Sequence, residues 1–426
     1  MSQESIAIIG TGAAGMVCGH FLHRHYNLTL YEQNDYAGGH ANTAVLENDR
    51  ETVRTDTGFV IFNDENYSLF NRMLNELQVE SMRCPMDFSI HVVPSGWEYN
   101  TRGLSYVPSN LKNLFDPAFR SMLSESGRFY RQATEIMHET RYQEYSIADY
   151  VQEKGYSDNF LENFLIPILA VVWSIPPDKM LEYPALTMIE FLKNHGALQG
   201  LFGRKRWRTV AGGSASYRDR IIAPFKDRIR LQCKAVQVTR TKDRVAVKDT
   251  HGETRSYDQV IFACHADQSL QCLGDPGAME QEILGAFRYT KTRVVLHSDQ
   301  SIMPYNKRLW AGWNYYVDYE DDGELRSTFT YYMNKLQRVS KLQNYFVTVN
   351  PWGRIDARKI LREYDYEHPL FDIHAIRAQS HLAKLNENGR TYFCGSYFKH
   401  GFHEDAFRSG IEVCRAITGD AIWTDT

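Results

Sequence analysis

The chain has 426 residues, a formal net charge of −4, and 43% hydrophobic against 23% charged residues. Its length exceeds one ordinary hydrophobic core and predicts two domains, and its composition is that of a folded protein. The slightly acidic balance, with a pI of about 6.4, argues against nucleic acid as a partner, because a duplex binder needs a concentrated basic surface.

Cysteine usage and apolar runs indicate the compartment. The seven cysteines are scattered and form no Cys-x-x-Cys pair, which is typical of a reducing environment and argues against a disulfide framework or a metal site. The apolar run at residues 6–9 is too short for a signal peptide. The longest apolar stretch, residues 165–173, contains Pro167 and is too short to span a bilayer. We expect a cytoplasmic protein.

The order of the predicted elements indicates an α/β framework with a helical insertion. It begins with a strand at residues 5–9, a helix at 13–24 and a strand at 28–31. Helical patterns dominate from about residue 67 to 203. Strands with Asp/Gly turns follow at 229–264, and further strands lie within 290–385. The end of the chain is predicted as a strand at 392–394, a glycine-rich loop at 395–409 and a helix at 410–417.

Residues 10–15 read Gly-Thr-Gly-Ala-Ala-Gly, a complete G-x-G-x-x-G between the first strand and the first helix. Gly10 permits a tight turn, Gly12 lets the backbone approach a pyrophosphate, and Gly15 allows close helix-to-strand packing. The helix N-terminus stabilises phosphate charge, and Glu32 at the end of the second strand is placed to accept from ribose hydroxyls. The residues expected to contact a dinucleotide here are Gly10, Gly12, Ala13, Ala14, Gly15, Glu32 and Gln33.

Later segments resemble one flavoprotein superfamily. Glu32, followed by Gly38-Gly39-His40 and Thr43, is similar to the fingerprint of amine oxidases, phytoene desaturases and protoporphyrinogen oxidase, although His40 stands where many members carry Arg. Residues 56–58 resemble the segment lining the flavin, and residues 393–410 resemble the C-terminal flavin motif. The resemblance implies noncovalent FAD. The further residues it implies at the cofactor are Gly38, Gly39, His40, Asn42, Thr43, Gly58, Phe59, Val236, Gly395, Ser396, Glu404, Asp405 and Ala406.

The fold implied is mixed α/β, with a Rossmann-like FAD-binding domain interleaved with a substrate domain. We expect residues 1–80, 205–289 and 388–426 to form the FAD-binding domain. Residues 81–204 and 290–387 are expected to form the substrate domain, from a helical insertion plus a mixed sheet.

A narrower resemblance concerns a bacterial subfamily associated with enzymes that methylate unsaturated fatty acyl chains. It lies in residues 39–43, 310–315, 332–337, 345–351 and 401–405. It implies a desaturase of fatty acyl chains with a lipid or other apolar substrate, and a lipid methyltransferase as a partner. The basic cluster at residues 204–208 is either a solvated loop or a contact with anionic headgroups, which would place the protein peripherally at the inner face of the membrane.

Three side chains, His403, Glu404 and Tyr397, are candidate catalytic residues, and Lys291 is considered beside them. The chain has one nucleotide fingerprint, so the substrate itself is expected to reduce the flavin. His403 and Glu404 in the C-terminal motif are interpreted either as a proton relay, with Glu404 orienting the imidazole, or as flavin and helix-cap contacts. Tyr397 is an aromatic wall of the site or a packing residue. Lys291 is a weak candidate for the lysine that holds a water over the flavin in amine oxidases.

Three functions stay open at this point. The first is an FAD-dependent desaturase or dehydrogenase of lipid acyl chains. The second is a flavin amine oxidase, for which acidic residues guiding a cation are not evident in the sequence. The third is a flavin-bearing partner of a lipid methyltransferase without turnover of its own.

Overall fold

The computed structural model describes residues 3–47, 49–100, 107–108, 111–173, 177–195, 198, 206–319, 323, 325–352, 354–387 and 389–423. Its strands are β1 Ser5–Ile9, β2 Asn27–Tyr31, β3 Thr43–Glu47, β4 Thr52–Asp56, β5 Phe62–Asn63, β6 Ser81–Arg83, β7 Phe88–Val92, β8 Trp97–Asn100, β9 Val107–Pro108, β10 Trp207–Val210, β11 Ile229–Arg230, β12 Ala235–Arg240, β13 Val245–Asp249, β14 Thr254–Tyr257, β15 Gln259–Phe262, β16 Arg288–His297, β17 Trp313–Tyr319, β18 Leu325–Tyr332, β19 Phe346–Val349, β20 Ile360–Leu370 and β21 Thr391–Phe393. Its α-helices are α1 Ala13–Leu22, α2 Ser68–Glu76, α3 Pro117–Gln132, α4 Ile147–Glu153, α5 Asp158–Phe160, α6 Ile166–Trp173, α7 Pro177–Met180, α8 Ala185–Asn194, α9 Ala215–Ile222, α10 Ala266–Cys272, α11 Ala278–Gly285, α12 Met333–Leu336, α13 Ile373–Gln379 and α14 His403–Thr418.

A five-stranded parallel sheet of order β11-β2-β1-β15-β21 brings together the two ends and the middle of the chain. Its central strands are almost wholly apolar and buried, as expected of a parallel sheet covered on both faces. Helices α1 and α14 pack together, with Gly410 lying against the backbone of Ala14. The carboxyl ends of β1, β2, β15 and β21 share one edge, where ligands bind in such folds.

An eight-stranded sheet of order β20-β16-β19-β18-β17-β7-β8-β9 forms the second large layer. Its pairs are antiparallel except for β7 with β17. Aromatic side chains of this sheet share one core with the insertion helices, as Tyr99 of β8 packs edge-on against Phe119 of α3. Three smaller sheets, β12-β13-β14, β5-β10-β6 and β3-β4, complete the fold.

The structure departs from the predicted elements in three places. Strands β6 to β8 lie in a region predicted as helical. β6 has only three residues, and β7 and β8 are wholly buried, so their exposure does not alternate between successive residues. Strand β20 was not predicted. Helix α14 begins at His403 inside the expected loop, because the Asp405 carboxylate accepts from the backbone amide of Phe402 at 3.0 Å and stabilises the first turn.

No helix in the described ranges is long and apolar enough to cross a membrane. All seven cysteines are free thiols, and six of them are buried. Of the basic cluster, Arg204 and Lys205 lie outside the described residues. Arg208 donates to the hydroxyl and carbonyl of Ser81 within the β6–β10 pair.

Candidate active site

The G-x-G-x-x-G turn lies at one end of a cavity of about 910 Å³, with Gly10, Gly12, Ala13 and Ala14 in its lining. Gly10 has φ +98°, and a Cβ there would lie 2.8 Å from the Ala263 carbonyl oxygen, so only glycine fits. A Cβ at Gly12 would meet nothing within 4 Å, so this position opens onto the cavity. Gly15 lies behind the turn and packs against Gly10.

The Glu32 carboxylate fixes the turn as well as facing the cavity. Its Oε2 accepts from the Thr11 hydroxyl at 2.5 Å and from the Thr11 amide at 3.2 Å, and Oε1 accepts from the Asn34 amide at 2.9 Å. Gln33 also lines the cavity. Thr11 was not expected from the motif, where it occupies a variable position.

A second glycine loop touches the first. A Cβ at Gly39 would lie 3.2 Å from the α-carbon of Gly12, so the two turns approach each other through glycine backbone. Gly39 and His40 line the cavity, whereas Gly38 does not. The His40 ring stacks on Tyr366 at 4.7 Å, and its Nε2 is buried without a partner in the described part of the chain. Burial lowers the pKa of His40, so the imidazole is neutral.

Asn42 and Thr43, both expected at the cofactor, are buried beside the cavity instead of lining it. The Asn42 amide donates to the Tyr366 hydroxyl at 2.9 Å. The Thr43 hydroxyl donates to Asp56, whose carboxylate also accepts from Ser214 and from the Gln337 amide at 2.6 Å. These residues therefore hold the loop that carries Gly58 and Phe59, both of which face the cavity.

His403 lines the cavity, but its partner is not the predicted one. Its ring stacks on Phe59 at 3.7 Å and 11°, and its Nε2 lies 2.8 Å from the Tyr217 hydroxyl. Burial lowers the pKa of His403 to about 3. His403 is therefore a neutral imidazole held between an aromatic face and a phenol.

Glu404 does not orient His403, which corrects the proton-relay prediction. Its two carboxylate oxygens accept from the backbone amides of Leu69 and Phe70 at 2.9 and 3.0 Å, at the N-terminus of α2. Consecutive residues on a helix do not face each other, so Glu404 points away from the imidazole beside it. Asp405 likewise caps its own helix, and neither carboxylate lines the cavity.

The loop after β21 lines the cavity through Gly395, Ser396 and Tyr397, and α14 contributes Ala406. Tyr397 is 1% exposed and packs edge-on against Phe287 at 5.2 Å. Its hydroxyl is buried without a partner in the described ranges. The aromatic wall expected at Tyr397 therefore lies in the cavity surface.

Val236 lies outside the cavity and is 40% exposed. The pairing of β12 with β13 slips between Ala235 and Gln237, so Val236 is the extra residue of a bulge. Its neighbours Lys234 and Ala235 line the cavity instead. The lining residues therefore lie one and two positions earlier than expected, because the bulge displaces Val236 from the cavity.

The far part of the cavity is a compartment of aromatic and aliphatic side chains. The ring of Phe402 stacks on Phe191, with centroids 5.0 Å apart. The ring of His195 also stacks on Phe191, with centroids 3.8 Å apart. We call this the aromatic compartment; its members are Val60, Ile61, Met86, Phe191, His195, Trp207, Trp313, Tyr331, Phe371 and Phe402.

Strand β20 brings residues to the cavity that the sequence did not reveal. Tyr366 and His368 lie on the face towards His40, and Glu367 lies on the opposite face, 3.4 Å from His265. The alternation of Tyr364, Tyr366 and His368 was the available signal. Lys291, paired across the strands with Glu367, also lines the cavity but is exposed.

A family model described as "Flavin containing amine oxidoreductase" matches residues 13–298, two thirds of the chain. The chain belongs to the flavin-containing amine oxidoreductase family. It is an FAD-dependent oxidoreductase with the mixed α/β fold expected from the sequence. No curated protein matches the sequence.

Solved structures of other flavin-containing amine oxidoreductases and related enzymes share the fold over nearly the whole chain. Putrescine oxidase bound to putrescine has a TM-score of 0.69 at 13% identity, covering 98% of this chain and 100% of the other. A fatty acid isomerase from P. acnes that produces CLA has a TM-score of 0.64 at 13% identity, covering 97% and 99%. Reduced UDP-galactopyranose mutase has a TM-score of 0.66 at 16% identity, covering 98% and 96%.

The residues present fit the family's cofactor. The open Gly12 position and the helix N-terminus beside it suit a diphosphate. Gly39 lies directly beside this position, and the next residue, His40, has a buried Nε2 without a partner in the described ranges. When bound here, FAD would accept two electrons as hydride from a C–H bond of the substrate. The two turns would hold its diphosphate and Glu32 would face its ribose. Gly58, Phe59, residues 395–397, His403 and Ala406 would lie around its flavin ring.

Proposed function

We propose that this oxidoreductase is a dehydrogenase, or desaturase, of unsaturated or methylated fatty acyl chains of lipids. One observation carries the proposal: the aromatic compartment offers a large apolar surface without a carboxylate among the described residues that line it. An apolar acyl chain gains free energy by leaving water for such a surface, whereas an ammonium group would find aromatic faces there but no carboxylate counter-charge.

The carboxylates that do line the cavity lie on its nucleotide side. They are Glu32, Asp365 and Glu367 among the residues described. Glu32 is held at the G-x-G-x-x-G turn, and Glu367 pairs with His265 beyond the carboxyl end of β15. Asp365 lies on the same face of β20 as Glu367, two residues away. None of the three is a member of the aromatic compartment.

Aromatic faces also suit the charge that develops in the reaction. Removal of hydride from a carbon next to a double bond leaves positive charge spread over the allylic unit, and a methyl branch on that unit stabilises it further. The π faces of Trp and Tyr stabilise cations. Trp313 and Tyr331, with ring centroids 6.0 Å apart, and the Phe191–Phe402 stack provide such faces. The fatty acid isomerase among the structural neighbours supports the compatibility of this fold with an acyl chain.

The test is reduction of the bound flavin without oxygen. Purified yellow protein is mixed anaerobically with micelles of phospholipids that carry saturated, unsaturated or methylated acyl chains, and separately with a panel of amines. We expect loss of flavin absorbance with unsaturated or methylated lipids and none with amines. Reduction by an amine would refute the substrate class and favour an amine oxidase. If no lipid reduces the flavin, the proposal is refuted.

A matched pair of variants tests whether the lipid binds in the aromatic compartment. Phe402 lines it, whereas Phe398, four residues earlier, is partly buried and lies outside the cavity lining. Phe402→Leu should weaken lipid binding about tenfold, because it removes roughly 1.4 kcal/mol of aromatic packing. Phe398→Leu should leave lipid binding within twofold. Equal effects of the two substitutions would argue against a lipid in this compartment.

A further inference from the structure

His400 lies in the loop between Tyr397 and helix α14 and faces the cavity. Its backbone amide donates to Asp405 Oδ2 at 3.1 Å, the oxygen that also accepts from the amide of Phe402. The cap of α14 therefore fixes where His400 sits. Its ring lies 6.4 Å from the ring of Phe191, edge-on, at the border of the aromatic compartment.

The other imidazoles of the cavity are already engaged or lie elsewhere. Hydrogen bonds engage the rings of His195, His368 and His403, through Asn66 and the Phe191 carbonyl, Thr292 and Tyr217 respectively. His265 Nδ1 lies 3.4 Å from a carboxylate oxygen of Glu367. His40 follows Gly39 in the loop that touches the G-x-G-x-x-G turn, and its ring stacks on Tyr366. In contrast, no described residue is within hydrogen-bond distance of either ring nitrogen of His400.

The proposed dehydrogenation requires a proton acceptor near the acyl chain. When hydride leaves one carbon for the bound FAD, a second hydrogen must leave the adjacent carbon as a proton, and its C–H electron pair becomes the new C=C bond. The aromatic compartment offers no carboxylate for this step. The phenols of Tyr67 and Tyr397 cannot serve, because burial raises their pKa and keeps them protonated.

We propose that His400 is the catalytic residue that accepts this proton; the inference rests on the proposed function above. Burial, with a smaller effect of Lys399, lowers the pKa of His400 to about 4, so the free base predominates at neutral pH. A weak base is sufficient, because a C–H bond next to a developing allylic cation is strongly acidic. The ring is partly exposed, so the proton can pass from it to water between turnovers.

The test compares His400→Gln with wild type in single-turnover, anaerobic flavin reduction by a lipid that reduces the wild-type flavin. We expect the limiting rate of reduction to fall about 100-fold, within the range that a positioned base supplies, with the dissociation constants for lipid and for FAD changed less than threefold. Deuterium at the carbon that loses the proton should give little isotope effect in wild type and a primary effect in the variant. His374→Gln, at an exposed histidine that does not line the cavity, should behave as wild type.

A second variant separates chemistry from structure. Added imidazole should restore part of the rate of His400→Ala, as expected when a missing base is replaced. Flavin reduction in His400→Gln within threefold of wild type, with an unchanged isotope effect, would overturn the role of His400 and leave the proposed function intact. Failure of every lipid to reduce the wild-type flavin would overturn both.

Discussion

Substitution of two glycines of the same turn should separate cofactor binding from folding. Gly12 has an ordinary backbone conformation, with φ −62° and ψ −174°, and a Cβ there meets no protein atom within 4 Å. Gly12→Val should therefore fold with a free energy of unfolding within about 0.5 kcal/mol of the wild-type apoprotein. Its methyl groups occupy the space through which the diphosphate approaches the backbone. We expect FAD affinity to fall at least 100-fold, about 2.7 kcal/mol.

Gly15→Ala should have the opposite effect. The new Cβ would lie 2.0 Å from the Gly10 carbonyl oxygen, more than 1 Å inside normal contact, and 3.3 Å from the Ala263 side chain. Helix α1 must shift from the sheet, and such overpacking costs roughly 1–3 kcal/mol. This loss should appear in the apoprotein as well.

The assay is thermal unfolding of each apoprotein, followed by titration with FAD monitored by quenching of flavin fluorescence. Gly12→Val should unfold at the wild-type temperature and gain no stability from FAD. Gly15→Ala should unfold several degrees lower and still gain stability from FAD. A yellow Gly12→Val protein with one FAD per chain would refute the placement of the diphosphate at this turn.

Three further predictions concern buried polar groups. Asp56→Asn should lower the free energy of unfolding by about 2–4 kcal/mol, measured in urea, because a carboxylate oxygen that accepts several buried hydrogen bonds becomes a donor. Glu404→Gln should cost about 1–2 kcal/mol by leaving one amide of α2 without its acceptor, yet change the rate of flavin reduction less than threefold; a large loss of rate would revive the proton relay. The pKa of His403 is about 3 in the fold and near 6.5 in the unfolded chain, so its contribution to stability is complete above pH 6.5 and is lost as pH falls towards 3. Wild-type apoprotein should lose at most about 1.4 kcal/mol per pH unit from this residue in that window, and His403→Gln should show a shallower slope in thermal unfolding against pH.

Predictions from the sequence were most accurate for features that depend on close contacts of the main chain. The turn at residues 10–15 and the loop at 38–40 need glycine because main chain passes close to main chain, and this requirement is visible in any one sequence. The mixed α/β fold and the FAD cofactor are confirmed with them. The division into domains stays a prediction, as does a methyltransferase partner.

The predictions about individual side chains were less accurate, for a geometric reason. Glu404 follows His403 in sequence, but consecutive residues on a helix point in different directions, and Glu404 caps α2 instead. Val236 was displaced from the cavity by a bulge that depends on the pairing of β12 with β13. His400 was not predicted as a site residue, because it belongs to no recognisable sequence motif.

The nucleotide-binding turn, the parallel sheet around it and the family can be predicted from the sequence alone, because they follow from short-range spacing of glycines and strands. Which side chains meet at the reacting end of the cavity depends on the tertiary fold. Strand β20 reaches His40 across more than 300 residues of chain, and Phe191 reaches Phe402 across more than 200. Such long-range contacts are set by sheet order and helix packing, which a local pattern does not encode.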